Sequence, residues 1–378
     1  MRKQLLTALI TIISLGYMIG QGLSLPPSGD NQKCSITQHI GTLVTVTVDY
    51  SSPNVTGPGG EDRNGKIWGQ LVPYGFTDLG FGLRKPAPWR AGANESTTIA
   101  FSHDVMVEGK PLKAGKYGLF LEIEATGPWT WIFSKNSTAW GSFFYDEKDD
   151  ALRVQVQPME HAHTEWLTYA FTDRQPTEAT MELQWEQKTI PMHIAVNGMN
   201  DLYITQISHE LENYQGFDAD NYAAAANFLL TANYKLDKAL EWATFATDSP
   251  TTGVQNFTNI TTRANVLLKM GKKDEAMTAF ESAMKLSDAG PGQVHQLGRT
   301  LLAQGEKDMA MKIFKTNYDN NKGAWPTNVG MMRGLSAIGK YDEALTYAQA
   351  ALVQAPDDVN KKNLTNMIEK LKSKKDVN

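Results

Sequence analysis

The stretch Gly339-Lys340-Tyr341-Asp342-Glu343-Ala344-Leu345 is the clearest of four related segments that decide the fold of the second half of the chain. The other three cover residues 234–240, 271–277 and 305–311. Their shared alanines follow one another after 37, 34 and 34 residues. A fixed period of this length is typical of helix pairs, each of which buries its apolar face against the next pair. The sequence therefore predicts an all-α solenoid.

These segments resemble the tetratricopeptide-repeat family. In repeat four, Gly339 ends the first helix, Ala344 lies at the start of the second, and Pro356 follows its end. Ala264 and Gly298 occupy the family's small position in the first helices of repeats two and three. The departures from the pattern are Tyr234 for the turn glycine, Asn317 for a late alanine, and Met332 for the small residue. The resemblance implies repeats over about residues 218–372, a closing helix, and a concave surface for a protein or peptide partner.

The first half has the period of β-strands. Residues 43–50 alternate, with Val44, Val46 and Val48 on one face and polar residues on the other. Further strands are predicted at 97–101, 105–107, 115–123, 129–133, 151–157, 164–171, 180–185 and 189–196, with a hairpin turn at 108–110. Strands without intervening helices predict an all-β antiparallel sandwich or barrel.

The N-terminal residues 1–24 have the charged start and apolar run of a secretory signal peptide. An uncleaved membrane anchor is the alternative interpretation. With cleavage, the sequence predicts a secreted or periplasmic protein with no stable membrane span, a β-domain over 34–197, and repeats with a closing helix over 201–372. Cys34 is the only cysteine, so no internal disulfide can form.

The overall charge argues against a nucleic-acid partner. The 378 residues include 36 Lys and Arg against 41 Asp and Glu, a net charge of −5. Without a basic excess there is no electrostatic attraction to a phosphate backbone.

The segment Trp89-Arg90-Ala91-Gly92-Ala93-Asn94-Glu95-Ser96-Thr97-Thr98 is the candidate site. Strand alternation from Phe101 backwards turns Glu95 towards the core, where a carboxylate needs a partner, and Arg90 is the nearest candidate. One interpretation is a structural ion pair. The other is a ligand site in which Arg90 holds an anion, Asn94 a polar group, and Glu95 acts as a general acid or base.

Other chemical signals are weaker. His161, His163 and Glu165 alternate and could face a divalent metal together, but no distant third ligand is evident. Seven of the nine tryptophans lie in the β half and are expected to be core residues or, for a few, sugar-stacking surfaces. No nucleophile, zinc or phosphate-loop motif occurs. The sequence therefore predicts no cofactor and favours a binding protein over an enzyme.

The β half also resembles a secreted bacterial family of unknown function, number 2911, over about residues 34–196. The motifs that carry the resemblance are residues 35–38, 46–51, 66–75, 89–98, 114–120, 140–141 and 145–146. It implies an exported β-domain, often followed by helical repeats. The insert at residues 76–88 departs from the family pattern, which bears on the local geometry before Arg90.

Three functions follow as hypotheses. The first is an exported binding or scaffold protein, with a small polar ligand near Arg90, Asn94 and Glu95 and a protein partner on the repeats. The second is a glycan hydrolase that uses Glu95 with Asp104, Asp146 or Glu165 as a second carboxylate. The third is a structural envelope protein whose β half only orients the repeats.

Overall fold

A computed structural model describes residues 31–378, so the predicted signal segment lies outside the described residues. The chain divides into two compact units, of which the first ends at Met199 and the second spans Asn200–Asn378. They are called the β-unit and the helical unit below. Within residues 31–378, no helix is both long and apolar enough to cross a membrane.

The β-unit is built from antiparallel strands. They are β1 Gln32–Ile40, β2 Val44–Ser52, β3 Thr77–Asp78, β4 Pro86–Ala87, β5 Thr98–Phe101, β6 Val105–Val107, β7 Lys110–Leu112, β8 Gly115–Glu122, β9 Trp129–Ser134, β10 Asp150–Val156, β11 Met159–Gln175 and β12 Glu178–Ala195. One sheet has the order β1-β2-β5-β8-β9-β10 and the other β11-β12-β6-β7, while β3 and β4 form a separate ribbon. Neither large sheet closes on itself, so the predicted sandwich is confirmed and the barrel is not.

The alternation predicted for β2, with its valines on the core face, is present in the structure. Val44, Val46 and Val48 are fully buried. Val46 lies opposite Phe101 and Val48 opposite Ile99 in the ladder with β5. Cross-strand apolar pairs of this kind stabilise a sheet and set its register. The inner face of the six-stranded sheet therefore contributes directly to the sandwich core.

The strands predicted at 180–185 and 189–196 are one continuous strand, β12. Glu186 has a left-handed backbone with φ of 53°, and the register with β11 shifts nearby. Pairing resumes beyond it, with Lys188 opposite Glu160 and Thr189 opposite Met159. A bulge of this kind bends a strand without ending it. The polar residues near Glu186, which separate the two predicted strands, mark that bulge.

The helical unit follows the predicted repeat. Its helices are α1 Met199–Leu211, α2 Ala219–Ala232, α3 Leu236–Asp248, α4 Phe257–Lys269, α5 Lys273–Ala283, α6 Pro291–Ala303, α7 Lys307–Asn320, α8 Trp325–Ala337, α9 Tyr341–Val353 and α10 Asp358–Lys372. Helices α2 to α9 form four antiparallel pairs. The closing helix α10 buries Leu364, Ile368 and Leu371 on one face only, as expected for the end of a solenoid.

The turns between paired helices explain the glycine pattern and its exception. Gly271, Gly305 and Gly339 have φ near +80°, a conformation that suits glycine. In repeat one, where Tyr234 replaces the glycine, the neighbours Asn233 and Lys235 adopt φ of 48° and 43° instead. Asparagine tolerates this region better than most residues. The degenerate first repeat therefore keeps the turn, because the residues on either side of Tyr234 adopt the left-handed backbone conformation instead.

Candidate functional site

The segment 89–98 is fixed to its neighbours by hydrogen bonds, although it is not a strand until Thr98. Trp89 exchanges backbone hydrogen bonds with Leu121, at 3.1 and 2.8 Å. The Ala91 carbonyl accepts bonds from the Tyr169 hydroxyl at 2.8 Å and from Thr97 Oγ1 at 3.1 Å. Ala91 and Asn94 have φ of 49° and 54°. Such conformations in non-glycine residues cost on the order of 1 kcal/mol each and cluster at functional sites.

This segment forms one wall of a pocket of about 390 Å³. Trp89, Arg90 and Asn94 line it, together with Trp185 from β12 and Ser142 from the loop before β10. The rings of Trp89 and Trp185 stack with centroids 5.9 Å apart and an angle of 20° between their planes. The pocket, which we call the Arg90 pocket, therefore has an aromatic wall beside polar groups.

Two buried polar atoms at the Arg90 pocket lack a hydrogen-bond partner in the described part of the chain. They are Ser142 Oγ and Trp185 Nε1, and their residues are only 3% and 1% exposed. A buried polar group without a partner costs about 1–3 kcal/mol, so each such group needs an explanation. Sequence reasoning missed Ser142, and it listed Trp185 among the seven tryptophans of the β half without placing it near Arg90, because both residues lie far from residue 90 along the chain.

Arg90 is a partly buried cation. Its guanidinium donates a hydrogen bond to the Asn94 carbonyl and lies 5.2 Å from the centre of the Phe143 ring. Burial lowers the pKa of Arg90. No carboxylate forms an ion pair with it among residues 31–378. A desolvated positive charge without a counter-ion favours the binding of an anion.

The expected ion pair between Arg90 and Glu95 is wrong. Glu95 Oε1 pairs with Lys33 Nζ at 2.7 Å, and Glu95 Oε2 accepts a bond from Ser51 Oγ at 3.1 Å. The Glu95 side chain is 38% exposed and lines a second pocket of about 450 Å³. Alternation cannot be extended back to Glu95, because β5 begins only at Thr98. The ligand roles of Arg90, Asn94 and Glu95 stay predictions. They concern two pockets, because Arg90 and Asn94 line the Arg90 pocket and Glu95 lines the second one.

The carboxylates considered for acid catalysis have lowered pKa values. For Glu95, burial alone would raise the pKa, but hydrogen bonds from Lys33 and Ser51 outweigh it and lower the pKa. The other three candidates accept stabilising bonds: Asp104 from Lys113, Asp146 from Lys148, and Glu165 from the Thr56 amide. Groups of this kind are ionised at neutral pH and do not store a proton. The proton-donor role for Glu95 gains no support from its surroundings.

The three metal candidates are placed on β11, where the register is irregular. His163 Nε2 lies 3.2 Å from Glu165 Oε2, whereas His161 Nδ1 lies 2.6 Å from its neighbour's carbonyl, that of Ala162. The register shift between Glu160 and Thr164 breaks the alternation on which the prediction depended. Among residues 31–378, no group of three or more His, Cys, Asp or Glu side chains is arranged to hold a metal.

The helical unit contains a cluster that sequence reasoning also missed. Asn265, Arg299 and Arg333 recur every 34 residues, each directly after the small-position residue of its repeat. They lie on α4, α6 and α8. The pKa of Arg333 is lowered first by burial and then by the charge of Arg299. The spacing was present in the sequence and is the signal that could have identified this row, which we call the basic row.

His295 lies on α6 and contacts α7 and α8. Its ring centroid lies 5.6 Å from that of Phe314, and it bonds to the Pro326 backbone. Burial lowers its pKa to about 4, helped by the charges of Arg333 and Arg299. His295 is therefore neutral at physiological pH, which leaves the positive charge of this region to the two arginines.

Acidification is expected to destabilise the helical unit through His295. Its pKa falls from 6.5 in the unfolded chain to about 4 in the folded one. The unfolded state therefore binds the proton first as the pH falls. His295 destabilises the fold by about 2 kcal/mol at pH 5 relative to pH 7. Urea unfolding at both pH values measures this effect.

The control for this prediction is His209→Gln, which alters an exposed histidine of the same unit. His295→Gln should remove about 2 kcal/mol of the pH dependence, whereas His209→Gln should leave it unchanged. If the difference in stability between wild type and His295→Gln is equal at pH 5 and pH 7, the assignment is wrong.

The fold defines a class of protein: an antiparallel β-sandwich followed by tetratricopeptide-type helix pairs. Residues 31–194 match the model of the family described as "Protein of unknown function (DUF2911)". Residues 260–289, which cover most of α4 and α5, match a tetratricopeptide-repeat model. Both resemblances predicted from the sequence motifs are thereby confirmed, and the helical unit is a scaffold of the type on which proteins bind.

Several solved structures are similar to the chain, and no curated protein matches it. YrrB, a TPR protein with an unusual peptide-binding site, is 21% identical, with 45% of this chain and 86% of YrrB covered and a TM-score of 0.28. A thermophilic TPR protein of Thermus thermophilus is 17% identical, with 45% and 90% covered and a TM-score of 0.31. A tetratricopeptide repeat protein from Parabacteroides merdae is 16% identical, with 41% and 62% covered and a TM-score of 0.28.

Proposed function

We propose that the chain is an exported binding protein, in which the β-unit takes a small anionic ligand in the Arg90 pocket and the helical unit binds a protein or peptide partner. The observation that carries the ligand proposal is the combination of Arg90, a partly buried cation without a carboxylate partner in the described residues, with the partly exposed ring of Trp89.

The chemistry of the pocket favours an anion with a flat face. A guanidinium binds carboxylate or phosphate oxygens through paired hydrogen bonds. Tryptophan faces stack on rings, including those of sugars and aromatic acids. A pocket of about 390 Å³ has room for a ligand of one or two rings. Sugar acids and aromatic acids therefore fit this pocket better than neutral sugars or long apolar chains.

The first test compares anions with neutral counterparts. Calorimetric titration of the purified protein with glucuronate against glucose, and with benzoate against benzamide, should show tighter binding of at least one acid. Arg90→Gln should weaken that binding about tenfold, the loss expected for one charge-assisted pair. Arg174→Gln, which removes an exposed arginine of the same unit, is the matched control. Equal binding of acids and neutral counterparts, or equal losses in both variants, would contradict the proposal.

Export is a separate part of the proposal and rests on the charged and apolar run at residues 1–24. Fusing this segment to a reporter that is active only outside the cytoplasm, and sequencing the N-terminus of the recovered protein, tests it. We expect reporter activity and a new N-terminus near residues 22–24. A reporter without activity would refute export, and an intact N-terminus would show a retained anchor.

A further inference from the structure

We infer that the ligand of the Arg90 pocket is an amphiphilic acid, whose carboxylate and ring lie in the pocket and whose apolar chain lies on an exposed patch beside it. The patch, which we call the Phe81 patch, consists of Leu79, Phe81, Leu83 and Phe144. This inference rests on the proposed function of the Arg90 pocket and adds the class of ligand. The acid head is the part that fits the pocket, and the chain stays outside it.

Three residues of the Phe81 patch lie at the tip of a hairpin. Strands β3 and β4 pair with each other, so residues 79–85 form the tip between them. Leu79, Phe81 and Leu83 alternate along this tip and are all exposed, Phe81 by 62%. Single exposed apolar residues are common, whereas a group of them marks an interaction site. The insert that departs from the family pattern therefore presents an apolar surface.

The tip of the hairpin is held against the loop before β10. The Leu83 amide donates a hydrogen bond to the Phe143 carbonyl at 2.9 Å. Gly82 has φ of 70°, and a Cβ atom there would collide with the same carbonyl. The ring centroid of Phe81 lies 5.4 Å from that of Phe143 and 6.1 Å from that of Phe144. The exposed side chains therefore belong to a packed arrangement, which a ligand does not have to order first.

The Phe81 patch is continuous with the Arg90 pocket. Leu79 belongs to both, because it lines the pocket and is exposed. The ring of Phe143 also joins them, since it contacts Phe81 and its centre lies 5.2 Å from the guanidinium carbon of Arg90. Leu71 is a further exposed side chain that lines the pocket. A ligand that extends out of the pocket along these residues therefore meets apolar side chains.

The pocket and the patch together select the chemistry of the ligand. The guanidinium of Arg90 favours a carboxylate head, with which it can form paired hydrogen bonds. On the patch, each methylene group that is covered strengthens binding by about two- to fourfold, depending on how fully it is buried. A stable protein interface takes about 20–30 residues on each side, whereas the patch has four. A single apolar chain therefore fits the patch better than a protein partner does.

The experiment measures what an apolar chain adds to the affinity of an acid. Calorimetric titration of the full chain compares 4-hexylbenzoate with benzoate, and hexyl glucuronide with glucuronate, all below the concentrations at which they form micelles. We expect a gain of about tenfold or more from the hexyl chain in at least one pair, because the chain covers part of the Phe81 patch. The gain is a ratio of two affinities measured on the same protein, so any effect on the acid head cancels.

Three variants locate the chain. Phe81→Ser should lower the gain at least about threefold, because it removes the largest exposed ring of the tip. Phe217→Ser, which changes a phenylalanine of the helical unit that is 78% exposed, is the matched control and should leave the gain unchanged. Arg90→Gln should weaken both members of a pair about tenfold and so also leave the gain unchanged. Circular dichroism checks that each variant is folded.

The outcomes separate this inference from the proposed function. Binding of the plain acid with no gain from the chain would refute the amphiphilic ligand and leave the anion pocket intact. An equal gain in wild type and Phe81→Ser would place the chain elsewhere and overturn the inference. Equal binding of 4-hexylbenzoate and neutral 4-hexylbenzamide would contradict the anion pocket itself. Binding to phosphatidylglycerol vesicles that depends on Phe81 but not on Arg90 would assign the patch to a membrane surface instead.

Discussion

Replacing Trp185 by alanine is expected to lower the free energy of unfolding of the β-unit by about 3–5 kcal/mol. Trp185 is 1% exposed and contacts Trp89 and Trp68, with ring centroids 5.9 and 5.8 Å away. The substitution removes a large apolar surface, leaves a cavity and breaks two aromatic pairs. Chemical denaturation followed by tryptophan fluorescence and by circular dichroism measures the loss.

Two further variants make this result specific. Trp140→Ala removes a tryptophan that is 52% exposed, so a loss below about 1 kcal/mol is expected. Trp185→Phe keeps an aromatic ring but removes the unpartnered Nε1–H, so stability should fall far less than with alanine. Equal losses for Trp185→Ala and Trp140→Ala would mean that Trp185 is not the core residue that its burial indicates.

Trp185→Phe also separates stability from binding. If the indole N–H is reserved for a ligand, Trp185→Phe should weaken binding of the best anion several-fold while the folded β-unit stays intact. Unchanged affinity would show that the indole N–H does not contribute to binding. The aromatic rings and Arg90 would then be the groups that determine it. The same variant thus tests whether the buried, unpartnered donor has a function.

The second large effect is expected from Phe314→Ala in α7, which should destabilise the helical unit by about 3–5 kcal/mol. Phe314 is fully buried. A Cβ atom at Gly298 of α6 or at Gly330 of α8 would collide with its ring. The two glycines therefore leave the space that Phe314 fills between the first helices of repeats three and four. Its removal opens a cavity that the rigid helix backbones cannot close.

The matched control is Phe217→Ala, since Phe217 belongs to the same unit and is 78% exposed. Urea unfolding followed by the helical circular dichroism signal should show a small effect for Phe217→Ala and a large one for Phe314→Ala. If Phe314→Ala costs less than about 1 kcal/mol, the packing of repeats three and four differs from that described.

The repeat architecture could be predicted well from the sequence because the information is local and recurs. Each turn needs a left-handed residue, and each helix pair needs a small residue where the helices approach. Gly298 illustrates the need for a small residue, because a side chain at this position would collide with the ring of Phe314. Where the pattern fails, as at Tyr234, the physical requirement is still met, by Asn233 and Lys235.

The candidate site was only partly predictable, because its geometry depends on contacts between distant segments and not on a local pattern that recurs. The sequence pointed to residues 89–98, and the structure places Arg90 and Asn94 on one pocket. It places Glu95 on another, paired with Lys33 from β1. Alternation assumes a regular strand, and the left-handed residues Ala91 and Asn94 break that assumption just before β5. No local rule could have chosen Lys33 over Arg90 as the partner of Glu95.

The sequence by itself determined the two fold types, the position of the change between them, and the period of the repeats, because periods of two and of 34 residues directly reflect strand pleating and helix-pair stacking. Only the tertiary structure decided which side chains meet. Trp185 reaches Trp89 across 96 residues of chain, and Arg299 lies beside Arg333 because successive repeats stack. Contacts between distant segments depend on packing geometry and burial, which no local pattern encodes.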